Sequence, residues 1–300
     1  MIRELTVDEV EEKFSKIFYE SLIRGVTGIS PDIRKLMEAA LAEETSAPPR
    51  GMLQAMLENV RLAREQKKGV CQSPGIPAVY LRFGANMAGI DFPKIIGPAI
   101  VRATKDGYLR PSIVHPLTRK NSGDNSGPGI PNYEFEVDPR MEHLEVIASF
   151  KGCGPEMFNA FRTFTPESLG KNLEGLKRFV LETVIHAGGK PCPPIGLGIG
   201  IGGQIDGAAK LSRRAISIRL WDDRNPDPQL DGLEAELKEK INQLGIGPGG
   251  VGGKTTALAV KVGLAYTHTA ICPVVINFHC WVGRRFGFKF FRDGSWEEIL

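Results

Sequence analysis

Three cysteines constrain this chain more than any other feature: Cys71 in GVCQSPG, Cys192 in KPCPPIGLGIG and Cys280 in ICPVVINFHCW. They stand 121 and 88 residues apart, so no compact ferredoxin-type run or zinc knuckle is present. Only a complete tertiary fold could bring three such loops to one centre. Each cysteine has glycine or proline nearby (Gly69 and Pro74; Pro191, Pro193 and Pro194; Pro273), which suits loops whose backbone N–H groups approach inorganic sulfur. Three converging thiolates can hold one iron–sulfur cluster and leave one iron open as a Lewis acid. For any cysteine taken singly, a buried inert thiol is the alternative. The five cysteines (71, 153, 192, 272 and 280) are an odd number, which argues against a disulfide framework.

With 300 residues, 42% hydrophobic and 24% charged, the chain can bury a full core. A net charge of +3, from 38 basic and 35 acidic residues without a polybasic tract, gives no basis for nucleic-acid binding. No apolar run is long enough to span a bilayer, and MIRELTVDEVEEKF is acidic and amphipathic where a signal peptide would be basic and then apolar. The chain therefore reads as cytoplasmic, with no membrane partner.

Hydrophobic periodicity predicts a helical N-terminal part. Ile2, Leu5, Val10, Phe14, Ile17, Phe18 and Leu22 recur at helical spacing; Ser30-Pro31-Asp32 is an N-cap signal; a third helix is expected over 51–66. Short strands are expected at 78–83, 133–137 and 144–149, with the polar loop TRKNSGDNSGPGIPN between the first two. Further on, helices are expected at 173–187, at 206–215 and around Leu233, Leu237, Ile241 and Leu244, closed by Gly245. Strands are expected at IGLGIGI, 258–263, 274–278 and 286–291. The fold class is α+β, read as a single domain over 1–300 with a cluster-binding site built from loops.

Two glycine patterns bear on nucleotide binding. Gly198-x-Gly200-x-x-Gly203 fits a dinucleotide fingerprint but lacks a leading βαβ context, and its acidic ribose partner would have to come from the loop at Trp221-Asp222-Asp223. GPGGVGGKTT imitates a P-loop, yet the required first glycine falls on Pro248, which has no N–H. Lys254 remains able to meet an anion.

The frames C-Q-x-x-G, P-C-P-P and C-P-V-x(5)-C resemble those of the class I fumarate hydratase and L-tartrate dehydratase family, in its α subunit or N-terminal domain. Arg110-Pro111 with Lys120-Asn121-Ser122-Gly123-Asp124-Asn125, Lys151-Gly152-Cys153-Gly154, and Leu244-Gly245-Ile246-Gly247-Pro248 with Gly252-Gly253-Lys254 resemble further family segments in the same order. The resemblance implies a 4Fe-4S cluster held by Cys71, Cys192 and Cys280. It also implies reversible hydration of a small dicarboxylate, of fumarate/malate or tartrate type. A separate β subunit would complete the site, in an α2β2 assembly or a homodimer. Cys153 and Cys272 fall outside the implied ligand positions.

By the same resemblance Gln72, Arg110, Lys151, Gly152 and Gly154 bind substrate. An amide or a guanidinium fork can hold a carboxylate, and glycines can form an anion-binding backbone nest. His268, 12 residues before Cys280, matches the family's active-site histidine and is expected to relay a proton or orient substrate. Asn121, Ser122 and Asp124 are expected to hold their loop or to support the substrate-binding residues from behind. One position departs from the pattern: Ser73 stands where the family has an acid–base aspartate. A hydroxyl is no base near neutral pH without strong activation. Proton transfer is then reassigned, the substrate differs, or hydratase activity is lost and the chain is a cluster-bearing sensor or assembly subunit.

Overall fold

The computed structural model describes residues 5–87 and 89–300, so Ile2 lies outside the described residues. In chain order the elements are α1 (Val7–Thr27), α2 (Pro31–Glu43), α3 (Ala47–Glu65), β1 (Ile76–Phe83), α4 (Phe92–Lys105), β2 (Asn132–Val137), β3 (His143–Lys151), α5 (Cys153–Met157) and β4 (Ala160–Phe164). There follow α6 (Pro166–Leu169), α7 (Glu174–Ala187), β5 (Ile195–Ile201), α8 (Ile205–Ile218), α9 (Pro228–Gln243), β6 (Ala257–Leu264), β7 (Cys272–His279), β8 (Arg285–Phe291) and β9 (Trp296–Glu298). The chain is α+β, as its sequence pattern predicts. It divides into two compact units.

The first unit holds the chain up to Ser30 together with Asn59–Lys151 and Arg284–Leu300. Its sheet runs β2-β1-β3-β8-β9, with β1 and β2 parallel and the other pairs antiparallel. Helix α1 opens with a capping box, in which Thr6 accepts from the Glu9 amide and the Glu9 carboxylate accepts from the Thr6 amide. Its apolar stripe, Val10, Phe14, Ile17, Phe18 and Leu22, is buried in one core with residues of β1, β3 and β8. Phe14 alone meets Phe18, Phe92, Phe288 and Phe290 at ring-centroid distances of 5.5–6.1 Å. Each such buried ring contributes about 1.5–3 kcal/mol. At one end of this sheet Ile76, opening β1, pairs with Lys151, closing β3, and Ser149 pairs with Arg285, opening β8.

The second unit holds Pro31–Glu58 and Gly152–Gly283. Its sheet runs β4-β7-β5-β6; β5 and β6 are parallel, and β7 is antiparallel to both β5 and β4. The glycines of IGLGIGI have a packing reason. A Cβ on Gly198 would stand 2.0 Å from the Ser212 carbonyl oxygen, and one on Gly200 2.0 Å from that of Ala208, so α8 lies directly on the glycine face of β5. The alternating Leu197 and Ile199 enter the core with Leu176, Val180, Leu237 and Ile241 of α7 and α9.

The structure also departs from the sequence expectations. Helix α4 was not anticipated: Pro93, Gly97 and Pro98 mask an apolar pattern of Phe92, Ile95, Ile96, Ala99, Ile100 and Ala103, all of them buried. Strands β4 and β9 were not anticipated either. Helix α2 begins at Pro31 as expected, but the buried Ser30 hydroxyl has no hydrogen-bond partner among the described residues. Its start thus rests on proline's fixed φ rather than on a hydroxyl cap.

Candidate active site

Within the second unit, one end of the four-stranded sheet gathers two of the three cysteine frames. Cys192 precedes β5, Cys280 follows β7, and Gly196 of β5 pairs with His279 of β7. The Trp281 amide donates to the Cys192 carbonyl at 3.2 Å, tying the two frames together. Cys192 is exposed, in the left-handed region at φ 61°, with its amide donating to Gly189. Cys280 is a buried thiol, and the adjoining His279 is fully buried with its Nδ1 3.3 Å from the Cys280 carbonyl. Gly154, in the first turn of α5, lies beside these loops: a Cβ there would stand 2.6 Å from the Lys190 carbonyl oxygen, so only glycine lets α5 lie against the approach to Cys192. Gly152 caps α5 with extended backbone and makes no side-chain cap bond.

The glycine loop before β6 joins this end as well. The Gly249 amide donates to the Pro193 carbonyl at 2.8 Å, and Thr256 accepts at its carbonyl from the Ile195 amide. What the loop grips is the chain's own carboxylate. Glu44, nearly fully buried, accepts from the amides of Thr45, Ser46 and Lys254 at 2.8–3.0 Å, while the Lys254 ammonium donates to the Glu43 carbonyl. Burial pushes the Glu44 carboxyl upward, but these backbone N–H donors outweigh it and hold its pKa below the ordinary value.

His268 lies elsewhere in this unit. It sits between β6 and β7, where the Gly203 amide donates to the Tyr266 carbonyl and the Thr267 hydroxyl to the Gly203 carbonyl. That is the opposite end of β5 and β7 from Cys192 and Cys280, roughly 25 Å away along the strands. The histidine is exposed and its Nδ1 accepts from the Ala270 amide at 3.1 Å, which leaves the neutral ring's proton on Nε2.

Within the first unit the Cys71 loop and Lys151 adjoin the sheet end already described, while Arg110 lies on the segment that follows α4. Cys71 and Gln72 are exposed on the turn that leads to β1, and the Ser73 amide donates to the Cys71 sulfur at 3.4 Å. Lys151 is buried at the close of β3. Arg110 is exposed on a strap pinned by its own motif. Buried Asn125 accepts from the Ser112 amide at 2.7 Å and donates to the Arg110 carbonyl and the Thr104 hydroxyl, while Asn121 donates to the Pro111 carbonyl. Hydrogen bonds from the Ser126 hydroxyl and amide hold the Asp124 carboxyl below its ordinary pKa. Sequence reasoning missed Asn125 as the fastener, Glu44 as the occupant of the glycine loop, and Arg284, whose guanidinium donates to the Ser73 and Pro74 carbonyls. Their partners are distant in sequence or are backbone atoms, which carry no side-chain signature.

None of the five cysteines is joined in a disulfide. Burial pushes the Cys272 thiol pKa up, which disfavours the thiolate a metal needs. Among the described residues no three His, Cys, Asp or Glu side chains form a group that could hold a single metal ion. A four-iron cluster sets a different requirement, because each thiolate binds its own iron and the sulfides bridge them. Undisulfided thiols on loops, that of Cys71 already accepting a backbone N–H at sulfur, fit that donor set.

The fumarate hydratase (Fumerase) family profile matches residues 15–289. A candidate L(+)-tartrate dehydratase subunit alpha of Methanocaldococcus jannaschii is 40% identical over 277 residues, covering 91% of this chain and 96% of its own length. A candidate class I fumarate hydratase of Geobacillus stearothermophilus is 33% identical over 295 residues, 96% of this chain but 57% of the longer relative. The L(+)-tartrate dehydratase subunit alpha of Escherichia coli K12 is 26% identical over 300 residues, covering 100% of this chain and 98% of its own length.

Proposed function

Because the chain belongs to the fumarate hydratase (Fumerase) family, we propose that it is the α subunit of an iron–sulfur-dependent hydro-lyase acting on a small hydroxy-dicarboxylate of fumarate/malate or tartrate type. The observation that carries this reading is the bond from the Trp281 amide to the Cys192 carbonyl, which ties together two cysteine frames 88 residues apart in sequence. Cys71, Cys192 and Cys280 would hold the 4Fe-4S cluster. When bound, the cluster supplies an open iron that acts as a Lewis acid toward a substrate hydroxyl.

The chain's own residues then divide the remaining work. Gln72 donates its amide to a substrate carboxylate, and Arg110 offers a guanidinium fork to the other. Lys151, Gly152 and Gly154 contribute positive charge and backbone donors to the anion. His268 relays a proton or orients substrate through Nε2; its support is the motif spacing, since its own strand carries it away from Cys280. At Ser73 a hydroxyl can hydrogen-bond the substrate but does not take up a proton near neutral pH.

A β subunit on a separate chain completes the site, in an α2β2 assembly or a homodimer. This is supported by relatives matched over nearly their whole length that are named subunit alpha, and by a class I relative of which this chain covers 57%. Residues 1–300 would serve as one α-subunit domain in the cytoplasm; among the described residues no helix is long and apolar enough to cross a membrane. Anaerobic assays with fumarate, malate and tartrate test the proposal, with and without a candidate β subunit. Turnover of one of them by the pair, and none by this chain alone, is expected; none by the reconstituted pair would overturn it.

Ser73 favours a second reading, a cluster-bearing homologue without hydratase activity. The nucleotide reading loses its footing, since the Gly198–Gly200 pair serves helix packing and the glycine loop before β6 grips Glu44.

A further inference from the structure

Four positions beyond Cys280 in sequence, Arg284 leads into β8, and its Nη1 donates to two backbone carbonyls of the Cys71 loop, those of Ser73 and Pro74, the latter at 2.6 Å. The residue is 2% exposed and forms no ion pair among the described residues, while its buried Nε has no hydrogen-bond partner there. Burying a guanidinium without a carboxylate is expensive, and the fold recovers only two carbonyl contacts for it. Both contacts fall on the residues just after the exposed Cys71 and Gln72. Upstream, the loop is fastened separately: the Val70 amide donates to the Val26 carbonyl at 3.0 Å, and Asn59 donates to the Val70 carbonyl at 2.9 Å. Residues 71–73 thus form a short arch, exposed at Cys71 and Gln72, with one foot on Val26 and Asn59 and the other on Arg284.

We propose that Arg284 is a positioning residue that fixes the downstream foot of this arch, so that the Cys71 thiol and the Gln72 amide are presented in one orientation. Its purpose in holding a cluster ligand and a substrate donor rests on the hydro-lyase reading; the clamping itself does not. Among the described residues Arg284 makes no hydrogen bond to the Cys71 sulfur, and it acts through the Ser73 and Pro74 carbonyls. Lysine keeps the charge but carries it on a flexible ammonium, without the planar guanidinium that fixes the direction of the two Nη1 donors.

The test compares wild type with Arg284→Met and Arg284→Lys in the full chain. Amide hydrogen exchange is measured on the metal-free protein, and iron release to a chelator on the anaerobically reconstituted protein. Exchange in peptides covering 69–76 should rise about tenfold in Arg284→Met and severalfold in Arg284→Lys, with β1 and β3 unchanged, and chelator half-times should shorten in the same order. If Arg284→Met does not fold, Arg284→Lys alone decides. Unchanged exchange at 69–76 in a folded variant would overturn the proposal, and so would an equal rise in the loop and in the sheet. Wild type that takes up no iron would remove the hydro-lyase reading, while the exchange data would still judge the clamp.

Discussion

A hydroxyl at position 73 stays protonated near neutral pH, whereas an aspartate there would be ionised and able to accept a proton. Ser73→Asp should therefore raise hydration of fumarate, or dehydration of tartrate, by about tenfold or more if the native substrate is one of these. No gain with a fully loaded cluster would favour the divergent homologue. His268 makes a separate case, since its place at the far end of β7 from Cys280 sets the proposed proton relay apart from cluster ligation. His268→Asn should leave iron and sulfide content unchanged and lower kcat by about a hundredfold. Iron loss in that variant would contradict a proton-relay role. At this scale the sequence was most legible where a motif carries its own side chains: Asn121 does hold its loop, through its bond to the Pro111 carbonyl. It was silent where a side chain acts on distant backbone, as Arg284 does on Ser73 and Pro74.

The elements show which physical signals survive in a single sequence. Helix α1 announced itself by a sustained 3.6-residue stripe and β5 by a short apolar run. Helix α4 hid behind internal glycine and proline, whose helix penalty is overridden by tertiary burial of six apolar side chains. The glycines of β5 suggested a nucleotide loop because close backbone approach is common to phosphate binding and helix packing; the Ser212 and Ala208 carbonyls identify packing here. Gly198→Ala and Gly200→Ala should each destabilise by about 1–3 kcal/mol in urea unfolding, through forced separation of α8 from β5. The Glu44 clamp predicts a pH dependence. Its folded pKa is depressed, so its stabilisation is present above the unfolded value and is lost as pH falls through the folded one. Protection of residues 247–256 against hydrogen exchange should be level above about pH 5 and fall below it. Glu44→Gln should flatten that profile.

For the whole molecule, the α+β class followed from the order of helical and strand patterns, while the division into two units did not, because both draw on discontinuous segments. Three cysteines in distant loops pointed to a centre that only the fold could make, yet their spacing alone could not say which loops share a sheet end. The first unit collects Cys71, Lys151 and Arg284, and the second Gly154, Cys192 and Cys280. The measurement that bears most directly on the central claim is iron and acid-labile sulfide per chain after anaerobic reconstitution, for wild type and for each cysteine changed singly to alanine. The account predicts about four of each in wild type, lost with Cys71, Cys192 or Cys280 and kept with Cys153 or Cys272. Wild type without iron, or a cluster indifferent to those three cysteines, would contradict it.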